Sequence, residues 1–139
     1  MIRKFILISH SELANGMHRS LEYIMGRQPN VSSFGLLGNE TPDKIIEKIK
    51  KKIEPSDFVV VLGDISGGSM CNAARVLLDQ PNVVLVGGVN LPLLIELIMS
   101  PAQTKEEVVK IVEDLRSSMK VIDTDKQVAA QNLEDFLDN

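Results

Sequence analysis

The sequence predicts an α/β fold, a mainly parallel sheet covered by helices on both faces. Three observations predict it. Short β-branched runs alternate with longer segments of helical periodicity, the pattern of repeated βαβ units. Several of those runs are apolar without a break, as strands buried on both faces require. At 139 residues the chain fits one domain, and a chain this size buries roughly two-thirds of its unfolded surface, enough for a single core.

The elements follow in order. Lys4–Ser9 is an apolar run and the first strand. From Glu12 to Gly26, Leu13, Met17, Leu21 and Ile24 recur at helical spacing, and Gly26 stops the helix. Val31–Leu37 is a weaker strand. Thr41-Pro42-Asp43 then supplies a capping hydroxyl, a proline at the first helical position and an acid in the positive first turn. Ile45, Ile46, Ile49 and Ile53 form that helix's buried face, and Pro55-Ser56 ends it. Asp57–Asp64 is the strongest strand, and a helix from about Ser69 to Asp79 comes after it. Val83–Val86 is a further buried strand. Asn90-Leu91-Pro92 opens the next helix, through roughly Met99. Thr104 and Glu107 have capping-box spacing ahead of Val108, Ile111, Val112 and Leu115. Met119–Ile122 reads as a last short strand, and Gln127–Leu137 as a weakly amphipathic segment. Right-handed crossovers join the parallel strands.

Composition sets limits on function. Hydrophobic residues make up 44% and charged residues 24%, ordinary globular usage. The formal net charge is −4, and the whole excess lies in residues 123–139, where Asp123, Asp125, Glu134, Asp135 and Asp138 face only Lys126. Residues 1–122 are therefore a neutral domain and 123–139 an acidic tail. A neutral body argues against nucleic acid as a partner. A single cysteine, Cys71, excludes a disulfide framework and any multi-cysteine metal site. Two histidines, His10 and His18, with no carboxylates arranged around them, leave no expected metal site. Neither a GxGxxG fingerprint nor a P-loop is present, so no nucleotide cofactor is expected. The short N-terminal apolar run, cut by His10-Ser11-Glu12, does not read as a signal peptide. Asn90, Pro92 and Glu96 interrupt the longest apolar stretch, so it does not read as a membrane span. The expected location is the cytoplasm.

Ligands of open α/β sheets bind beyond the carboxyl ends of the strands, where strand order reverses. Three loops qualify: Ser9-His10-Ser11, Asp64–Ser69 and Gly87–Asn90. His10 ends the first strand and Asp64 the third, and adjacent parallel strands would bring two such ends within side-chain reach. A carboxylate on one ring nitrogen fixes the tautomer and frees the other nitrogen to attack. Gly67-Gly68-Ser69 lets the backbone approach a ligand and heads a helix, where N–H groups favour an anion. Together these parts point to phosphoryl transfer through a phosphohistidine. Each also has a simpler reading: an incidental loop histidine, a turn-capping aspartate, a pair of turn glycines. His18, two turns into the first helix, reads as a surface or interface residue. Cys71 reads as a small packing residue.

Three segments then carry a family resemblance: the strand ending in Ser9-His10, the run from Asp64 through Gly67-Gly68-Ser69 to Ala74, and Gly88–Met99 with Asn90-Leu91-Pro92. The chain resembles the enzyme IIA component of mannose-family sugar phosphotransferase systems. That resemblance implies a cytoplasmic phosphocarrier that needs no cofactor. His10 would accept a phosphoryl group from the histidine-containing phosphocarrier protein and pass it to the IIB component, which phosphorylates sugar entering through membrane IIC and IID components. Asp64 would orient His10, with Gly67, Gly68 and Ser69 beside the phosphate. It further implies a homodimer in which Met119–Ile122 pairs with the partner's sheet. Three positions depart from the commoner pattern: Ser11 replaces a glycine, Ser66 an aromatic residue, and Met70-Cys71 a Pro-Phe pair. Ser9-His10-Ser11 with Leu13 also resembles the phosphocarrier subunit of the dihydroxyacetone kinase system, and a phosphorylation-responsive regulatory domain of this fold is a third reading.

Overall fold

In a computed structural model, which describes residues 1–124, strands and helices alternate along the chain. They run β1 (Arg3–His10), α1 (Leu13–Met25), β2 (Val31–Leu36), α2 (Pro42–Lys50), β3 (Phe58–Gly63), α3 (Ser69–Ala74), β4 (Val83–Gly87), α4 (Leu91–Met99) and α5 (Lys105–Leu115). The segment expected at Gln127–Leu137, with the tail from Asp125 onward, lies outside the described residues.

The four strands form one sheet in the order β2-β1-β3-β4, and all three pairings are parallel. Side-chain alternation divides each strand between two cores. Phe5, Leu7, Val60, Leu62, Val84 and Val86 pack with Leu21 of α1, Leu94 and Leu97 of α4 and Val108 of α5. Ile6, Ile8, Val59, Val61 and Val83 pack on the opposite face with Ile45 and Ile49 of α2 and Met70 and Ala74 of α3. Both faces are thus covered, which explains why β3 is apolar throughout. From β1 the chain moves outward to β2, then returns past β1 to β3 and β4. Strand order therefore reverses between β1 and β3, the central pair.

The helix starts follow the expected chemistry. Thr41 Oγ1 accepts from Lys44 N at 3.4 Å and Asn90 Oδ1 from Leu93 N at 2.9 Å. Thr104 Oγ1 accepts from Glu107 N at 3.2 Å, while Glu107 Oε1 accepts from Gln103 N at 3.4 Å rather than from the cap residue's own amide. The single helix expected over Ser69–Asp79 is divided. After Ala74 it tightens into a 3₁₀ segment, Arg75–Asp79, which buries Leu77 and leaves Val76 and Leu78 exposed. At the sheet's far end, Lys4 Nζ lies 2.6 Å from the buried Asp57 carboxylate, and the Arg3 guanidinium donates to Ile98 O and Ala102 O, both at 3.0 Å.

The strand expected at Met119–Ile122 does not form within this chain. Met119, Val121 and Ile122 are 88%, 96% and 88% exposed, and among the described residues the sheet contains only β1 to β4. Among the described residues no helix is long and apolar enough to cross a membrane.

Candidate functional site

His10 and Asp64 meet at the carboxyl ends of the two central strands. Ile8 of β1 lies opposite Gly63 of β3, so His10, two residues on, and Asp64, one residue on, both stand at the reversal point. Asp64 Oδ2 accepts two hydrogen bonds from His10, one from the backbone N–H and one from ring Nδ1, both 2.9 Å. Oδ1 accepts from Ile65 N at 2.9 Å. The Asp64 side chain is only 7% exposed, whereas His10 is 44% exposed.

An ionised carboxylate only accepts, so Nδ1 carries a proton, and in the neutral ring Nε2 then holds the lone pair. Ser69 Oγ lies 3.1 Å from Nε2, and its hydroxyl donates to that nitrogen when the ring is neutral. Burial acts to raise the Asp64 carboxyl, but the His10 amide, the His10 ring and the Ile65 amide outweigh it. Asp64 is thereby held below the ordinary carboxylate range and is anionic at neutral pH. The site therefore combines an exposed imidazole with a lone pair on its outer nitrogen when neutral, a proton fixed on the inner nitrogen, and a fixed negative charge behind it. A ring held in this way has the arrangement that nucleophilic attack by an imidazole requires.

The glycine-rich turn fits around the ring. Gly68 N donates to Ile65 O at 3.0 Å, closing the turn, and α3 begins at Ser69. A Cβ on Gly68 would stand 3.0 Å from His10 Cε1, so side-chain size, not backbone conformation, selects glycine here. Gly67 faces open space, and its carbonyl accepts from Asn72 Nδ2 at 3.2 Å. The third expected loop buttresses the second. Val89 N donates to Gly63 O at 3.0 Å, and a Cβ on Gly87 would collide with Ser66. From His10, an open groove of about 650 Å³ runs between α1 and the start of α4, past Leu13, Met17 and Leu91.

All five expected site residues, His10, Asp64, Gly67, Gly68 and Ser69, thus stand in one loop cluster. His18 does not join them. It is also less superficial than expected: its Nδ1 lies 3.1 Å from Ser33 Oγ on β2, and the side chain is 22% exposed. Cys71 packs as expected. It is buried against Gly63, and burial together with the Asp64 charge raises its thiol, keeping it neutral. Among the described residues no group of His, Cys, Asp or Glu is placed to hold a metal ion. Sequence reasoning placed Ser9 in a candidate loop but gave it no role, and it passed over Gly35. A glycine inside a strand pattern often marks a close backbone approach, and Gly35 of β2 is one: the Ser11 carbonyl occupies the room of its missing Cβ.

Known proteins resemble this chain in sequence and in fold. The family model for the PTS system fructose IIA component matches residues 4–130. The PTS system mannose-specific EIIAB component of Escherichia coli (strain K12) is 30% identical over 99 residues, 68% of this chain and 31% of that protein. This chain therefore corresponds to about a third of that longer relative. The PTS system sorbose-specific EIIA component of Lacticaseibacillus casei is 27% identical over 124 residues, 84% of this chain and 90% of that one. Among solved structures, a putative phosphoenolpyruvate-dependent sugar phosphotransferase system permease from Klebsiella pneumoniae superposes with TM-score 0.79 at 29% identity, covering 87% of this chain and 91% of the other. The PTS IIA protein associated with the fucose utilization operon of Streptococcus pneumoniae gives TM-score 0.74 at 28% identity, covering 92% and 97%. The chain belongs to the IIA family of mannose-, fructose- and sorbose-type sugar phosphotransferase systems.

The close approach at Gly68 gives a direct test. Gly68→Ala is expected to fold but to displace the His10 ring by a few tenths of an ångström. Its Cε1–H resonance should shift and phosphorylation should slow about tenfold, since small misplacements of a reacting atom cost heavily. An unchanged resonance with unchanged rate would contradict the packing argument.

Proposed function

We propose that this chain is a cytoplasmic phosphocarrier. His10 takes a phosphoryl group from the phosphohistidine of a histidine-containing phosphocarrier protein and passes it to a IIB component, which serves sugar entry through membrane IIC and IID components. One observation carries the reading: the inner ring nitrogen is tied to a buried carboxylate while the imidazole as a whole is exposed.

The lone pair on Nε2 attacks phosphorus in line with the donor's N–P bond. As the new N–P bond forms, the old one breaks and its electron pair returns to the donor imidazole. The Nδ1 proton stays in place, so the phosphorylated ring is an imidazolium, and the Asp64 charge 2.9 Å away balances it. Once phosphorus occupies Nε2, the Ser69 hydroxyl loses its acceptor there and turns to a phosphoryl oxygen. The first amides of α3, placed by Gly67 and Gly68, take others. Transfer to IIB reverses these steps. The relatives' names specify mannose in one case and sorbose in another, which suits a domain that handles only the phosphoryl group.

In the phosphotransfer assay with phosphoenolpyruvate, enzyme I and the phosphocarrier protein, the wild type should acquire one acid-labile, base-stable phosphate. His10→Ala should abolish it and His18→Ala should leave it unchanged. Asp64→Asn should slow transfer by about 10²-fold, the range of electrostatic and acid–base groups. Label retained on folded His10→Ala would overturn the assignment.

The proposal extends to assembly. Residues 1–122 are the phosphotransfer domain and 123–139 an acidic tail. Met119–Ile122 of each chain adds to the outer edge of the partner's β4, making a homodimer. Two observations support this: the edge position of β4 among the described strands, and the exposed apolar side chains of Met119, Val121 and Ile122. Sedimentation should give twice the chain mass, and Val121→Asp with Ile122→Asp should give the monomer. A monomeric wild type at micromolar concentration would refute the exchange.

A further inference from the structure

We propose that Ser9 is a positioning residue for His10, acting through a brace formed by Ser9, Ser11 and Gly35. The proposal rests on the reading of His10 as the phosphoryl acceptor. Asp64 holds the residue from the amide side, through the backbone N–H and ring Nδ1. On its carboxyl side the chain turns at once. Ser11 has φ of +49°, the one described residue other than glycine with positive φ. That conformation is unfavourable for an L-residue and persists only where its surroundings impose it.

Three contacts impose it. Ser11 N donates to Leu36 O at 3.0 Å, tying the turn to the end of β2. The Ser11 carbonyl lies against Gly35 in the space any Cβ would fill. Ser9 Oγ accepts from Ala14 N at 2.7 Å and donates to Ser11 O at 3.4 Å. Ser9 is 1% exposed, so its hydroxyl has no water to turn to.

The Ala14 bond also does the work of a missing cap. Glu12 precedes α1 but its side chain makes no capping bond. Ser9 satisfies that first-turn amide from within β1, so one hydroxyl locks strand, turn and helix together around His10. Without it the turn can relax, and the ring loses the orientation in which one carboxylate oxygen receives both His10 N–H groups.

The test uses the full chain with Ser9→Ala, Ser9→Cys and Ser9→Thr, at a temperature where circular dichroism shows each folded. Ser9→Ala should lower the maximal rate of phosphoryl acceptance about tenfold, with the KM for the phosphorylated donor within twofold of wild type. ¹⁵N spectra of its His10 ring should show a mixed tautomer in place of Nδ1–H alone. Ser9→Thr, which keeps the hydroxyl, should restore both readouts, and Ser9→Cys, a weak donor of similar size, should fall between. If Ser9→Ala does not fold, Ser9→Cys against Ser9→Thr decides the matter by the same two readouts. A folded Ser9→Ala or Ser9→Cys with wild-type rate and tautomer would overturn the brace, as would equal loss in Ser9→Thr. Should the wild type accept no phosphoryl group at all, the phosphocarrier reading fails, and the ring tautomer still judges the brace.

Discussion

One carboxylate oxygen holds the site together. Asp64 Oδ2 accepts from the main chain and from the ring of the same histidine. A residue held at both points has little freedom left to rotate, so the outer nitrogen's direction is set before any partner arrives. The arrangement requires β1 and β3 to be neighbours and in register to within one residue, since a slip would move Asp64 to the other side of the sheet. The two cores serve that requirement. Ile6 and Val61 on one face and Leu7 and Leu62 on the other pair across the same two strands, and each buried aliphatic side chain contributes roughly 1.5–3 kcal/mol.

Close packing of loops completes the cluster. Gly63 makes room for the Cys71 sulfur, Gly87 for Ser66, Gly35 for the Ser11 carbonyl and Gly68 for the imidazole. At these positions the missing side chain matters for volume, because a Cβ would meet a neighbouring atom. Three loops from the ends of three strands, with β2 behind them, can therefore converge on one ring. The pair at the site also divides its labour by exposure: a buried anion keeps its charge unscreened by water, while the exposed ring stays within reach of another protein.

Much of this could be read in the residues themselves. The apolar runs, Thr41-Pro42 and Asn90-Leu91-Pro92 reported elements because local chemistry decides them. His10, Asp64 and Gly67-Gly68-Ser69 were legible as strand-end residues once the fold class was known. Strand order was not, because pairing β1 with β3 is a long-range choice that no local pattern records. The role of Ser9 was missed for a related reason: its hydroxyl serves an amide five residues on, across a turn. His18 was read as superficial because helical spacing does not reveal Ser33 on the adjacent strand. Met119–Ile122 had strand composition, yet composition alone cannot supply the neighbouring strand that a β conformation needs.

The central claim is that Asp64 reserves Nδ1 for its proton and leaves Nε2 to react. The most direct measurement is phosphorus–nitrogen coupling in the phosphorylated protein labelled with ¹⁵N at histidine. Coupling to Nε2 of His10, with Nδ1 still protonated, is the predicted result. Phosphorus bonded to Nδ1, or carried on the Ser69 oxygen, would contradict it.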